Sequence, residues 1–128
     1  MAYPPQAMTA DYRQSALEER IGSASPQELI RMLMQKLLAN LVQARAEMNG
    51  GSVGRKGELI GKSVSIVDCL RASLDFENGG EVVENLERLY DFMQRELTAA
   101  NLSNQSQGLN AVIVVVEELK SAWDEVGA

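Results

Sequence analysis

The sequence predicts an all-α protein, an antiparallel up-and-down four-helix bundle with a short N-terminal capping helix. Three observations lead there. All three prolines fall at or before position 26. Polar or glycine-rich breaks at 49–54 (NGGSVG), 77–81 (ENGGE) and 101–108 (NLSNQSQG) divide the rest into four segments of more than fifteen residues each. Within each segment the apolar side chains recur every three or four positions, the period of a helix rather than of a strand.

Residues 9–21, TADYRQSALEERI, give a weak helix: Thr9 can cap it, and Tyr12, Ala16, Leu17 and Ile21 form a thin apolar edge. So short a helix is marginal alone and must lean on other structure. The first long helix starts at SASPQELI, where Ser25 is an N-cap, Pro26 occupies the first helical position and Glu28 can complete a capping box. Its stripe is Ile30, Leu33, Leu37, Leu41, Ala44 and Met48, with Leu29, Met34, Leu38 and Val42 beside it. That is more apolar circumference than one packed stripe needs, so a further surface must cover the excess. The N-terminal segment, a second copy or a client helix would serve.

The second helix carries Ile60, Val64, Val67, Leu70 and Leu74 after a frayed, glycine-containing start at GRKGELIG. The third carries Val82, Leu86, Leu89, Met93, Leu97 and Ala100, flanked by Val83 and Tyr90. The fourth runs Leu109, Val112, Val116, Leu119, Trp123 and Val126. Its AVIVVVEEL has local strand propensity, but Leu119 and Trp123 continue the same face at helical spacing and no other segment offers a strand partner. Four such amphipathic helices joined by short loops bury their stripes against one another. The expected organisation is one domain, with a mobile segment at 1–24 and the bundle at 25–128.

Twelve basic residues against eighteen acidic ones give a net charge of −6, which argues against nucleic acid and anionic membrane as partners. No stretch approaches a membrane span, and the N-terminus lacks the pattern of a secretory signal. The glycosylation-like NLS and NQS at Asn101 and Asn104 then read as polar loop. The single Cys69, with Ile66, Val67 and Leu70 nearby, reads as a small buried residue in a reducing cytoplasm.

The residues exclude most chemistry. There is no histidine, which removes the commonest general base and the helical di-iron pattern. GELIGKS ends like a phosphate-binding loop, but Lys56 stands where its first glycine belongs, and Leu59 and Ile60 belong to the helix face. The solvated reading of Lys62 follows. Most carboxylates lie opposite the apolar stripes, and Arg71 with Asp75 are spaced as an i,i+4 pair. Met32, Met34, Met48 and Met93 are ordinary core filler, although thioethers also suit surfaces that accept more than one partner. Neither a cofactor nor a metal is expected, and the chain does not read as an enzyme.

Several stretches in order resemble a known family: DYRQ at 11–14, SASPQELIRML at 23–33, QARAEM at 43–48, LRASLDFENGGEVVENLERLYDFMQREL at 70–97, AANL at 99–102 and EELKSAWDEV at 117–126. Together they are similar to the flagellin-specific secretion chaperones of the bacterial flagellar export system. The resemblance implies a small acidic protein of the bacterial cytosol that binds the disordered C-terminal region of flagellin in apolar grooves. It further implies that binding prevents premature polymerisation, that the client is delivered to the flagellar type III export gate, and that a short N-terminal helix caps the bundle and moves when the client binds. Carried over by position, the client-binding residues are Tyr12 in the cap, Ile30, Met34, Leu37 and Leu41 on the first long helix, and Leu86, Leu89, Tyr90 and Met93 on the third. Met8 and Thr9 depart from the more hydrophobic lead that the family often has before the tyrosine, which suggests a loosely held cap. Two alternatives are a self-associating helical adaptor and a co-chaperone or regulator of the same system with another client. The free protein is expected to be a monomer or weak homodimer, without membrane insertion.

Overall fold

A computed structural model describes residues 25–126. They form four helices, α1 Pro26–Gly50, α2 Val53–Ala72, α3 Gly80–Ser103 and α4 Gln107–Val126, with no strand among the described residues. The all-α expectation therefore holds, including for the β-branched run of α4. The segment proposed as a capping helix, and Tyr12 in it, lie outside the described residues.

Each helix begins or ends where local chemistry stops it. At the opening of α1, residues 25–30, Ser25 Oγ accepts from the Glu28 amide at 3.2 Å and the Ser25 carbonyl from the Leu29 amide at 2.9 Å. This is the Ser25 cap that the sequence predicts, without the return bond from the Glu28 side chain that would complete a capping box. The start of α2 is firm rather than frayed. Ser52 adopts an extended conformation, its Oγ accepts from the Arg55 amide at 3.2 Å, and its own amide donates to Glu47 Oε2 at 2.7 Å. The glycines that suggested fraying lie inside a helix anchored at its first turn.

The connection between α2 and α3 is built on Asp75. Its carboxylate accepts from the amides of Glu77 (3.1 Å) and Asn78 (3.2 Å) and from Asn78 Nδ2 (3.0 Å). These bonds, those from Asn78 first, hold its carboxyl below the usual range. Asp75 is thus a turn residue and does not pair with Arg71, because the helix ends at Ala72 before the i,i+4 geometry can exist. Gly79 closes the turn, its amide donating to the Asp75 carbonyl at 2.9 Å, and Gly80 follows at φ +57°. At the other end of α3, Asn104 takes the left-handed conformation (φ 55°) and donates to the Ala100 carbonyl at 2.9 Å. Asparagine is among the few residues that tolerate this C-cap geometry.

Within residues 31–126 the helices run antiparallel around a ring. Arg31 Nε meets Asp124 Oδ1 at 3.0 Å and Arg45 Nη1 meets Asn110 Oδ1 at 3.0 Å, which pairs the start of α1 with the end of α4 and the reverse. Lys56 bonds Asn101 near the far end of α3, while Arg71 at the end of α2 bonds Glu87 and Gln94. Gly108 packs against the Glu96 carbonyl and Ala100, joining the start of α4 to the end of α3. The closest backbone approaches are α2 with α3 and α3 with α4, so α1 stands further from its neighbours.

The core lies on the inner stripes. On α1 it is Met34, Leu37, Leu41 and Ala44; on α2 Leu59, Ile60, Val67 and Leu70; on α4 Leu109, Val112, Ile113 and Val116. On α3 the buried positions are Val83, Tyr90, Met93, Leu97 and Ala100. With half-buried Leu86 they alternate steps of three and four, the spacing that keeps a seam facing its partners. The structure shifts the expected stripe by one residue in two places. Val82 is 67% exposed while Val83 is buried. Ser63, rather than its neighbour Val64, is wholly buried, its hydroxyl donating to the Leu59 carbonyl at 2.9 Å.

Cys69 corrects the reading from its neighbours, because it is exposed. Successive helix residues diverge by about 100°. Val67 and Leu70 point inward and Cys69 between them does not.

Gly61 is exposed inside α2, and a Cβ added there would meet nothing within 4 Å. Gly61→Ala is therefore expected to stabilise the fold by about 1 kcal/mol through helix propensity alone. Thermal or urea unfolding would show a raised midpoint; a lowered one would mean that the helix needs glycine there.

Candidate partner-binding surfaces

Because α1 stands apart from its neighbours, an open groove lies on each side of it. The α1–α4 groove encloses about 580 Å³ beside Leu38, which is half-buried. Its wall is acidic, with Glu117, Glu125 and Asp124. Asp124 is held from two helices, by Lys120 Nζ at 3.0 Å and by Arg31 Nε at 3.0 Å. The Lys120 hydrogen bond is the main reason that its carboxyl lies below the usual range.

The α1–α2 groove, about 450 Å³, is more apolar. Along α2 its lining is Gly57, Gly61 and Ser65, spaced one helical turn apart, with Ile66 beside them. Along α1 it is Lys36 and Asn40. Glu58 at the rim is shared by Arg55 (3.2 Å) and Lys62 (3.3 Å), whose hydrogen bonds, Arg55 first, lower its pKa. Asn40 is 3% exposed and its Nδ2 has no hydrogen-bond partner. A buried donor without an acceptor costs about 1–3 kcal/mol, so this side chain is held at a disadvantage by the fold around it.

A third recess, about 460 Å³, follows the outer face of α3 from Asp91 to Leu102, whose side chain is 85% exposed. Other exposed apolar side chains are Phe76 in the α2–α3 connection and Val42, Val53, Val82, Val114 and Val126 on the helices. Among the described residues no cluster of three or more His, Cys, Asp or Glu could hold a metal ion, and no helix is long and apolar enough to cross a membrane.

The residues assigned to client binding divide by burial. Met34, Leu37, Leu41, Tyr90 and Met93 lie in the core, at 4% exposure or less. Burial also raises the Tyr90 phenol above its ordinary pKa. Leu86 and Leu89 on α3 are half-buried, and so is Ile30 on the opening turn of α1.

Several residues organise these surfaces in roles that the sequence does not announce. Asn40 sits among apolar neighbours on α1 and carried no pattern of its own. Lys56, considered only as a mismatch to a phosphate loop, is 3% exposed and donates from Nζ to the Asn101 carbonyl at 2.9 Å. Arg71 grips Glu87 through Nε and Nη2 and donates to Gln94 Oε1 at 2.6 Å, while Gln94 Nε2 reaches Asp68 Oδ1 at 2.6 Å. This bidentate network, spanning residues 16 to 26 apart, ties α2 to α3.

The family described as "Flagellar protein FliS" matches residues 8–128. The chain is 42% identical over 124 residues to the flagellar secretion chaperone FliSB of Pseudomonas aeruginosa, covering 97% of this chain and 98% of that one. It is 39% identical over 115 residues to the flagellar secretion chaperone FliS of Vibrio cholerae, covering 90% of this chain and 85% of the relative. To the protein of the same description from Salmonella typhimurium it is 40% identical over 116 residues, with 90% and 86% covered.

Proposed function

The chain belongs to the FliS family of flagellar proteins, and on that basis we propose that this flagellar secretion chaperone takes the C-terminal region of flagellin as its client. It holds that region in apolar grooves of the bundle, in the cytosol, prevents premature polymerisation and delivers flagellin to the type III export apparatus. The observation that carries the reading is the pair of open grooves flanking α1, whose apolar circumference exceeds what the core takes up: Leu38 is half-buried and Val42 is 41% exposed. An export client has to stay unfolded, yet its amphipathic end aggregates if left bare. Folding that end as helices against a groove hides its apolar face without requiring a folded client. The ordering entropy offsets part of the binding energy, which favours later release.

On this reading Leu86 and Leu89 touch the client directly, while Met34, Leu37, Leu41, Tyr90 and Met93 shape the surface from beneath. Ile30 marks the edge behind which residues 1–24 act as a movable cap carrying Tyr12. The free chain is a monomer or weak homodimer.

Calorimetry with a flagellin C-terminal peptide tests the proposal. Saturable binding with a large negative heat-capacity change is expected. Absence of binding, or a homodimer that persists at saturating peptide, refutes it. In the same assay Tyr12→Ala is expected to alter affinity while leaving the thermal midpoint nearly unchanged; a large fall in the midpoint would place Tyr12 in the core instead.

A further inference from the structure

We propose that the α1–α2 groove receives an acidic segment of the client peptide, and that Asn40 donates from Nδ2 to a carbonyl oxygen of that segment. The proposal rests on the client-binding reading above and assigns part of the client to one groove through one hydrogen bond.

Three observations converge there. First, the Asn40 amide is buried beside the groove with its Nδ2 unpartnered, at 3% exposure. Nδ2 is itself covered, so a client carbonyl meets it once the amide turns toward the groove, and the bond then satisfies a donor that the fold leaves idle. Second, the α2 wall is low. Gly57, Gly61 and Ser65 recur every four residues, and even a Cβ at Gly61 would find no atom within 4 Å. A peptide backbone, rather than only a side-chain tip, can come close to such a surface. The matching acceptor is a carbonyl left free at a helix end or in an extended stretch, since carbonyls inside a helix are already bonded.

Third, charge selects the occupant. Lys62 and Arg55 share one carboxylate, Glu58, and Lys36 adds another cation to the rim. Of these, Lys36 and Lys62 line the groove with Glu58, two positive groups to one negative on a chain whose net charge is −6. An acidic peptide is attracted locally, and a second copy of the chain, itself at −6, is repelled as a whole.

The test uses the full chain and a flagellin C-terminal peptide, with affinity read by calorimetry and self-association by sedimentation. Asn40→Leu is expected to bind about tenfold more weakly, the loss of one buried hydrogen bond, with a thermal midpoint equal to or above that of the unmodified chain. Gly61→Leu, whose side chain begins in open space, fills the groove and is expected to weaken binding at least as much. Lys36→Glu is expected to weaken binding and to flatten its salt dependence.

If the unmodified chain binds the peptide and Asn40→Leu and Gly61→Leu bind it equally well, the groove assignment is wrong while the chaperone reading stands. If the unmodified chain does not bind, that reading fails and takes the assignment with it. If the substitutions change self-association but not peptide affinity, the occupant is a second copy and the proposal is overturned. Should Asn40→Leu fail to fold, Gly61→Leu decides alone.

Discussion

Gly79→Ala is expected to destabilise the fold by about 3 kcal/mol, at the upper end of what overpacking costs. A Cβ at this position would lie 1.7 Å from Val83 Cγ2, 2.7 Å from Val83 Cβ and 2.7 Å from the Asp75 carbonyl oxygen. Rotating the valine removes only the first conflict. The other two involve the root of a side chain and the backbone, so either the Asp75 turn opens or the first turn of α3 moves, and Val83 leaves the core with it. Gly80 supplies the control. Its φ of +57° disfavours alanine, but a Cβ there meets nothing within 4 Å. Gly80→Asn, which tolerates that conformation, should stay close to the unmodified protein. Urea unfolding of both variants checks the contrast, and equal losses would refute the steric account.

Lys56→Met is expected to cost about 2 kcal/mol, the scale of a charge-assisted hydrogen bond at a partly buried helix end. The methionine retains most of the apolar stem and removes the ammonium. That ammonium bonds the Asn101 carbonyl in the last turn of α3, a turn with no basic residue of its own. A cation from α2 thus does the work usually done by a lysine or arginine at the helix's own C-terminus, and couples the two helices as it does so. Circular dichroism melting would show the loss. A Lys56→Met variant as stable as the unmodified protein would mean that the buried ammonium is only tolerated.

These two residues also mark the limit of what was legible in the sequence. The caps and breaks could be read because their causes are local: Ser25 and Pro26 act within one turn, and the turn-forming Asn78, Gly79 and Gly80 stand together. The four helices followed from the spacing of apolar residues over many turns. Individual facings did not follow. Where two adjacent residues are both apolar, as at Val82 and Val83, spacing alone permits either to lead the stripe, and the choice is made by what packs from the next helix. Cys69 departs from its expected burial for the same reason, since its apolar neighbours Val67 and Leu70 point elsewhere on the helix, while the burial of Lys56 depends on an acceptor supplied by another helix. The groove beside Asn40 joins residues from two helices, so glycines that read as fraying became the floor of a surface. The binding roles of the half-buried Leu86 and Leu89 rest on the family resemblance.

An even number of antiparallel rods returns the polypeptide to the pole from which it set out. Asp124 therefore meets Arg31, and Phe76 stands at that same pole, while Val53 and Leu102 mark the opposite one. The distance between poles is about the length of α2, roughly 30 Å at 1.5 Å per residue. Any guest chain that touches both Phe76 and Leu102 must span it, which takes about twenty residues as a helix or about nine stretched out. The bundle is in this sense a ruler, and the shortest peptide that still engages both poles reports the form in which the guest lies along it.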